Sequence, residues 1–258
     1  MNLKSELSKY KLIYDHHTHT DHTHGKGSIE ENVRVAFEKG LRSVAITDHG
    51  PGNFSYGLKL DDIPKMRTEI EEAKKKYPGI VVFLGVEANT LLKPPYIDVP
   101  KESCFKPDIL LCGYHFAVKG AGMVPNWMYS HYGAAKTMID KVGKSLLIRN
   151  TDMIINCLYY NEERGHHIDI LTHPGDKGPF DIEDIARVCQ DTGTLMEING
   201  KHPHLTVDEI KIAAKYDVKF IISSDAHVSS NVGTFAPQLE RALEAGVEPE
   251  RIVNIEKV

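Results

Sequence analysis

The sequence predicts an α/β fold in which seven parallel strands close into a TIM-like barrel, as a single domain spanning residues 1–258. Two observations favour this fold. Short apolar segments rich in β-branched residues alternate with charged amphipathic segments, which is typical of parallel strands joined by right-handed crossovers. Polar side chains follow these apolar segments where each strand would end, and they meet only if the strands close around a common axis. An open doubly wound sheet would spread them along one edge.

The predicted strands are short apolar runs of similar length. In chain order they are Leu12–His17, Ser43–Thr47, Ile80–Val86, Asp108–Gly113, Ile168–Thr172, Thr194–Ile198 and Lys219–Ser223. The segments between them are charged and amphipathic, and they predict helices at Ile29–Lys39, Asp62–Lys76, Thr151–Glu163, Asp181–Asp191, Val207–Tyr216 and Pro237–Ala245. Ser28 and Glu31 form a capping-box signal at the start of the first helix.

The segment 117–150 fits no simple strand–helix unit. It contains Trp127, Tyr129, His131 and several glycines. A long insertion after the C-terminal end of a strand is where a lid over the substrate would lie, and His131 would then reach the substrate. The same segment can instead be a structural flap or an oligomer contact, and the sequence leaves these alternatives open.

The composition is that of an ordinary globular protein. The chain has 31 basic and 36 acidic side chains, a net charge of −5 and a pI near 6.3, which argues against a general electrostatic grip on nucleic acid or on an anionic membrane. No apolar run is long enough to span a membrane, and the polar start does not predict a signal peptide. The four widely spaced cysteines indicate reduced thiols, so we expect a cytoplasmic protein.

The histidine-rich segment that follows the first strand is the strongest local signal. His17 and His19 lie two residues apart, and side chains at this spacing share one face of a strand. Two imidazoles at the open end of a strand are a suitable first half of a metal site. His16 points to the opposite face, and His22 and His24 follow before the glycine turn at Gly25.

The later strands end in the same kind of residue. A glutamate that enters the mouth of a barrel without a partner is expensive, so Glu87 predicts a metal or other cation beside it. Nine candidate ligands result: His17, His19, His24, His49, Glu87, His115, His173, Asp225 and His227. Because a catalytic zinc takes about three protein ligands, nine suit two or three ions. The charge of these ions would make the pocket positive, and a positive pocket is suited to bind phosphate.

These motifs resemble those of the polymerase and histidinol phosphatase (PHP) hydrolases. The resemblance runs from about Tyr14 to Asn254 and rests on the HxH segment, the turn at Gly25 with Ser28, and the sequences TDHG, GVEAN, GYH, THPG and SSDAH. It implies a distorted (β/α)7 barrel and three metal positions. The implied ligands are His17, His19, Glu87 and Asp225 for the first ion; Glu87, His115 and His173 for the second; and His24, in preference to His22, with His49 and His227 for the third.

Other polar residues receive a plainer interpretation. His166, His167, His202 and His204 occur in polar loop contexts and are predicted to be solvated surface groups. Arg149 precedes the predicted helix start at Thr151 and is a candidate for bidentate phosphate binding. Lys201 follows the sixth strand, where a surface role is the simpler interpretation.

The function that this sequence favours is hydrolysis of a small phosphate monoester by metal-bound hydroxide, with histidinol phosphate as the leading substrate. Asp225, Glu87, His227 and Arg149 are the residues predicted to carry the chemistry. The alternatives are a metal-dependent amidohydrolase or deaminase, a PHP-type exonuclease or nucleotide phosphodiesterase, and a metal-binding protein without activity. Zinc, manganese and iron all suit such a ligand set. The sequence does not predict an oligomeric state.

Overall fold

The protein has an α/β fold with parallel sheets, in a computed structural model that describes residues 6–122 and 139–258. The strands are β1 (Tyr10–Leu12), β2 (Tyr14–Asp15), β3 (Ser43–Ile46), β4 (Val81–Leu84), β5 (Val86–Asn89), β6 (Leu110–Gly113), β7 (Ile170–Leu171), β8 (Leu195–Asn199), β9 (Phe220–Ser223) and β10 (Ile255–Lys257). The helices are α1 (Ile29–Glu38), α2 (Ile63–Lys76), α3 (Ile139–Glu162), α4 (Ile182–Thr192), α5 (Val207–Ala213) and α6 (Ala236–Glu244). Short 3-10 turns occur at Leu60–Asp62, Ser229–Asn231 and Pro249–Arg251.

Two parallel sheets form the body of the fold. One has the order β2-β3-β4 and the other β5-β6-β7-β8-β9, while β1 and β10 form a separate antiparallel pair. Two single parallel bridges connect these sheets. One joins Thr18, after β2, to Ala226, after β9, and the other joins His49, after β3, to Glu87 in β5. The predicted α/β class and parallel strands are therefore confirmed. Closure into a seven-stranded barrel stays a prediction.

The packing shows why β6 has no polar side chain. Strand β6 is buried on both faces, as expected for a parallel strand that has neighbours on each side. Leu111, Ile170 and Ile221 form one small cluster, separate from the main core that contains Leu110 and Cys112. Alternate residues of β6 thus pack into different apolar layers, which is the period-two pattern of a strand.

The predicted strand Ile80–Val86 is in fact two strands with different partners. Residues 81–84 pair with β3, residues 86–89 pair with β6, and Gly85 lies at the break. A side chain at Gly85 would have its Cβ 2.5 Å from Ile109 Cγ2 and 2.7 Å from the Ile109 carbonyl oxygen. Glycine is therefore needed because the chain passes very close to its neighbour at the point where it changes sheets.

We expect Gly85→Ala to lower the free energy of unfolding by about 1–3 kcal/mol, because the added methyl group overpacks the contact with Ile109. Urea unfolding followed by circular dichroism measures this change. An unfolding free energy within about 0.5 kcal/mol of the wild-type value would contradict the tight approach.

Two further predicted boundaries need correction. The first predicted strand, Leu12–His17, ends at Asp15, whose buried carboxylate accepts hydrogen bonds from the Ser224 backbone N–H and hydroxyl at 3.1 and 2.5 Å. The helix predicted at Thr151–Glu163 is longer and spans Ile139–Glu162, so Arg149 lies inside the helix and not before it. Hence part of the predicted insertion 117–150 is helical.

The central part of that insertion, residues 123–138 with Trp127 and His131, lies outside the described residues. The predicted capping box is present, since the Glu31 N–H donates to the Ser28 hydroxyl at 3.2 Å. All four cysteines are free thiols. Among the described residues, none of the helices has the length and apolar character that a membrane span requires.

Candidate metal centre

The carboxylate of Glu87 lies at the centre of a cluster of imidazoles. Glu87 ends up fully buried in β5, and the Thr172 hydroxyl donates a hydrogen bond to its Oε1 at 2.8 Å. Five imidazole nitrogens lie within 3.6 Å of the two carboxylate oxygens. Next to Oε1 are His173 Nε2 at 2.8 Å, His115 Nε2 at 3.2 Å and His17 Nε2 at 3.3 Å; next to Oε2 are His49 Nδ1 at 2.9 Å and His19 Nε2 at 3.6 Å.

A compact cage is formed by four side chains, namely those of His17, His19, Glu87 and Asp225. His17 Nε2 and His19 Nε2 are 3.1 Å apart, and they lie 3.7 and 3.1 Å from Asp225 Oδ1. Their distances to Glu87 oxygens are 3.3 and 3.6 Å. Ligand atoms arranged tetrahedrally around a zinc-sized ion, at about 2.0–2.1 Å from it, are about 3.3 Å apart. The spacing of these donors therefore suits one divalent ion.

A carboxylate outside the predicted ligand set holds this cage in position. Glu197 is buried in β8, and its Oε1 lies 2.7 Å from His17 Nδ1. Its Oε2 accepts a hydrogen bond from the backbone N–H of His173 at 2.8 Å. Asn199 Nδ2 donates to Glu197 at 2.8 Å and to Asp225 Oδ2 at 3.2 Å. Sequence reasoning missed Glu197, although a carboxylate inside an otherwise apolar buried strand was a usable signal.

The third predicted set comes together near the surface. Two of its members, His49 and His227, have ligand atoms within 4.8 Å of one another and of a ligand atom of His19. The His24 ring packs against His49 and His227, with centroids 4.8 and 4.3 Å apart. His22 instead points away, with its Nε2 at 2.8 Å from Glu69 Oε2. The geometry therefore favours His24 over His22 as the candidate ligand.

We expect His24→Ala to lose close to one equivalent of metal per chain, because it removes a donor from the third set alone. His22→Ala is the matched control and should keep the wild-type metal content, since His22 contacts Glu69 and not the cluster. Elemental analysis of both purified variants measures the difference. Equal metal content in the two variants, or a loss confined to His22→Ala, would contradict this assignment.

The electrostatics of the cluster favour the metal-binding form of its side chains. Burial lowers the pKa of His19 to about 3, and it lowers the pKa values of His24 and His173 to about 4. These imidazoles are therefore neutral at pH 7, as metal ligands must be. Burial alone would raise the pKa values of Glu87 and Asp225, but the surrounding imidazoles hold both well below the usual range.

His17 behaves differently because it is surrounded by carboxylates. Burial lowers its pKa, but Glu197, Glu87 and Asp225 together raise the pKa well above its usual value. The Glu197 carboxylate faces Nδ1, while Nε2 faces the cage. A carboxylate on one ring nitrogen is the usual partner of an imidazole that binds metal through the other.

Several buried polar atoms in this cluster lack a hydrogen-bond partner among the described residues. They are His19 Nδ1, both ring nitrogens of His49 and of His115, Glu87 Oε2 and Asp225 Oδ1. An unpaired buried polar group costs about 1–3 kcal/mol, and more if it is charged. Coordination of divalent cations would satisfy most of these atoms at once. The residues present therefore fit the metal ions that the sequence predicts.

Two residues for which the sequence favours a surface role lie next to this cluster, and one of them, Lys201, is exposed there as expected. His202 lies with its ring centroid 4.8 Å from that of His173, and its Nε2 is 3.5 Å from Asp225 Oδ2, so its assignment as a solvated group was wrong. Lys201 Nζ lies 2.9 Å from His227 Nε2. The turn after β8 brings both residues back over the strand ends, because Asn199 Oδ1 accepts from their backbone N–H groups at 2.8 Å.

The remaining predicted residues lie elsewhere. Arg149 donates from Nη2 to the Gly122 carbonyl at 3.3 Å and to Asn150 Oδ1 at 3.2 Å. Its role in phosphate binding stays a prediction. The other loop histidines contact local partners: His166 Nε2 lies 2.9 Å from the Val99 carbonyl, and His167 and His204 pair with glutamates.

Comparison with known proteins now identifies the family. Residues 15–201 match the PHP domain. The chain belongs to the PHP domain family. A probable phosphatase of Thermoanaerobacter sp. (strain X514) is 29% identical over 95% of this chain and 91% of its own length. A probable phosphatase of Proteus mirabilis (strain HI4320) is 28% identical over 93% of this chain and 89% of its own length.

A solved structure of a phosphatase shares the fold. Histidinol phosphate phosphatase from Lactococcus lactis subsp. lactis Il1403, complexed with zinc, L-histidinol and phosphate, matches with a TM-score of 0.61. The sequences are 14% identical, and the match covers 92% of this chain and 94% of that one. The predicted PHP family and the predicted enzyme class, a hydrolase acting on phosphate esters, are confirmed. This PHP protein is a metal-dependent phosphoesterase.

Proposed function

We propose that this PHP protein is a phosphatase that hydrolyses a small phosphate monoester, with histidinol phosphate as the leading candidate. The observation that carries the proposal is the position of Glu87, a buried carboxylate whose two oxygens face different imidazoles. One carboxylate between two groups of neutral donors is suited to bridge two divalent ions. Paired ions clamp the attacking and leaving oxygens of a phosphoryl transfer.

The proposed ligand sets follow the distances. The first ion takes His17, His19, Glu87 and Asp225, which form the cage with spacings of 3.1–3.7 Å. The second shares Glu87 and takes His115 and His173, at 3.2 and 2.8 Å from Oε1. The third takes His24, His49 and His227, whose rings pack together. Zinc, manganese and iron all suit these donors.

Divalent ions in these positions would neutralise phosphoryl oxygens and supply hydroxide at neutral pH. The protein itself supplies the orientation. Glu197 fixes the His17 ring, Thr172 fixes Glu87, and Asn199 holds the second oxygen of Asp225. Such outer contacts keep ligands in one geometry and typically contribute 10–100-fold to metal affinity or activity.

The surroundings of the centre favour a small substrate. A cavity of about 300 Å³ lies beside Asp225 and His227 and is lined also by Lys201, Asn231 and Thr234. A space of this size holds a small molecule. We assign Lys201 to the phosphoryl oxygens, because its ammonium group lies 2.9 Å from His227 Nε2 and would balance the charge of a bound phosphate. The net charge of −5 argues against a polymer of phosphates as the substrate.

The distorted (β/α)7 barrel is part of the same proposal. The bridge from Thr18 to Ala226 supports contact between the first and last strands of the ring, and the His19 N–H donates to the Ala226 carbonyl at 2.8 Å. The bridge from His49 to Glu87 supports continuity at the break beside Gly85.

A turnover screen of the metal-loaded protein tests the proposed function. The substrates are p-nitrophenyl phosphate, bis-p-nitrophenyl phosphate, histidinol phosphate and a panel of phosphorylated metabolites, with single-stranded DNA and a cyclic amide as alternatives. We expect the monoesters to be hydrolysed at least about 10-fold faster than the diester. Cleavage of DNA alone would instead favour the exonuclease, and cleavage of the amide alone would favour the amidohydrolase.

A further inference from the structure

His202 is the histidine whose position differs most from its predicted one. It was expected in solvent, yet its side chain is only 18% exposed. Its Nδ1 lies 3.0 Å from Asp176 Oδ2, and its Nε2 lies 3.5 Å from Asp225 Oδ2. Its ring also packs on His173 with 4.8 Å between the centroids. One ring nitrogen therefore meets a carboxylate outside the cluster, and the other faces two proposed metal ligands.

This arrangement repeats the one around His17. There, Glu197 occupies Nδ1 at 2.7 Å while Nε2 faces the metal cage. Asp176 occupies the corresponding position beside Nδ1 of His202, with its Oδ2 at 3.0 Å. The Lys177 ammonium lies 3.0 Å from the same Asp176 oxygen. An imidazole that is fixed by a carboxylate on one nitrogen presents the other nitrogen as a metal ligand.

The distance to Asp225 also fits coordination better than a hydrogen bond. An N–H to carboxylate hydrogen bond is usually 2.7–2.9 Å long, with heavy-atom distances above about 3.2 Å uncommon. Two donors of one tetrahedral ion are about 3.3 Å apart, close to the 3.5 Å between His202 Nε2 and Asp225 Oδ2. Asp225 Oδ1 faces His19 and His227 at 3.1 and 3.2 Å. Its Oδ2 accepts a hydrogen bond from Asn199 Nδ2 at 3.2 Å and, as a carboxylate oxygen, has a second lone pair for a cation.

His173 completes the group. Ligand atoms of His173, His202 and Asp225 lie within 4.8 Å of one another. None of the three ligand sets predicted from the sequence pairs His173 with Asp225.

We propose that His202 is a further ligand of the second ion, that it holds this cation together with His173 and Asp225, and that Asp176 orients it. Asp225 then bridges two cation positions, as Glu87 is proposed to do. The inference rests on the proposed metal centre but not on the proposed substrate. It extends the centre toward the loop that carries Asp176, on the side away from His24.

Metal affinity tests this inference without reference to activity. The full chain is stripped of metal and titrated with Co²⁺ in competition with a chromophoric chelator, while the visible absorption of the bound cobalt is recorded. His202→Ala should weaken the binding of one ion by at least 10-fold and change the cobalt spectrum. His204→Ala is the matched control, because His204 lies two residues along the chain and pairs with Glu209 at 2.9 Å. It should bind cobalt as the wild type does.

Two more variants separate ligation from a structural role. In His202→Asn, the amide can keep the contact with Asp176 but has no donor in place of Nε2, so it should lose affinity as His202→Ala does. Asp176→Asn should weaken the same ion by about 10–100-fold. Wild-type affinity and spectrum in His202→Asn, or in His202→Ala, would overturn the inference.

The same titration distinguishes this failure from failure of the proposed centre. If Glu87→Gln loses metal and His202→Ala does not, the inference about His202 is wrong and the bridging role of Glu87 stands. If the wild-type chain binds no cobalt, the metal centre itself is wrong, and the inference about His202 with it. Circular dichroism of each variant checks that the chain is folded.

Discussion

Glu87→Gln is expected to remove metal from two positions at once and to lower kcat/KM for p-nitrophenyl phosphate by at least about 10³-fold, or about 4 kcal/mol of transition-state stabilisation. Imidazoles face both oxygens of the Glu87 carboxylate. The amide of glutamine has the same size but lacks the negative charge and has only one acceptor oxygen. Elemental analysis and steady-state kinetics of the same preparation measure the two effects together.

Glu69→Gln is the matched control for this experiment. Glu69 is also paired with an imidazole, since His22 Nε2 lies 2.8 Å from its Oε2, but this pair lies outside the metal cluster. The control should keep its metal and its activity. A Glu87→Gln variant that retains wild-type metal content would contradict the bridging role, and a loss of only one ion would restrict Glu87 to a single metal.

Removal of metal is expected to destabilise the wild-type protein strongly. Each ion that binds only the folded state, at a free concentration about 1,000 times its Kd, contributes about 4 kcal/mol to the free energy of unfolding. For a chain of this length that corresponds to a fall in Tm on the order of 10 °C per ion removed. The buried atoms left unpaired in the metal-free cluster, such as Glu87 Oε2 and Asp225 Oδ1, are the physical reason.

Differential scanning calorimetry with and without chelator measures this effect, and readdition of metal should restore the original Tm. Glu87→Gln supplies an internal control, because a protein that has already lost two ions should respond less to the chelator. A wild-type Tm that changes by less than about 1 °C would contradict tight structural binding of metal at this site.

The position of His202 shows how the site extends beyond the motifs that identify the family. In the sequence, His202 and His204 are equivalent loop histidines on either side of Pro203. In the structure, one faces Asp225 and His173 and the other faces Glu209. Nothing in their local sequence separates them, because the difference comes from the path of the turn after β8, which Asn199 fixes through backbone hydrogen bonds.

The fold class and most of the candidate centre can be predicted from local features of the sequence. Period-two spacing places His17 and His19 on one side of the chain. A charged residue such as Glu87, next to a predicted buried strand, requires a partner. These are local constraints. They depend on side chains within a few residues of one strand end, so they can be recognised before any long-range contact is known.

Tertiary structure alone decided the contacts that join distant segments. Gly85 breaks one predicted strand because Ile109, 24 residues later, approaches too closely for a side chain. Glu197 becomes a support for His17 only when β8 packs beside the first strand end, 180 residues away in sequence. His202 reaches Asp225 through a turn whose path depends on Asn199. Such partners are set by packing in three dimensions, which local sequence periodicity does not encode.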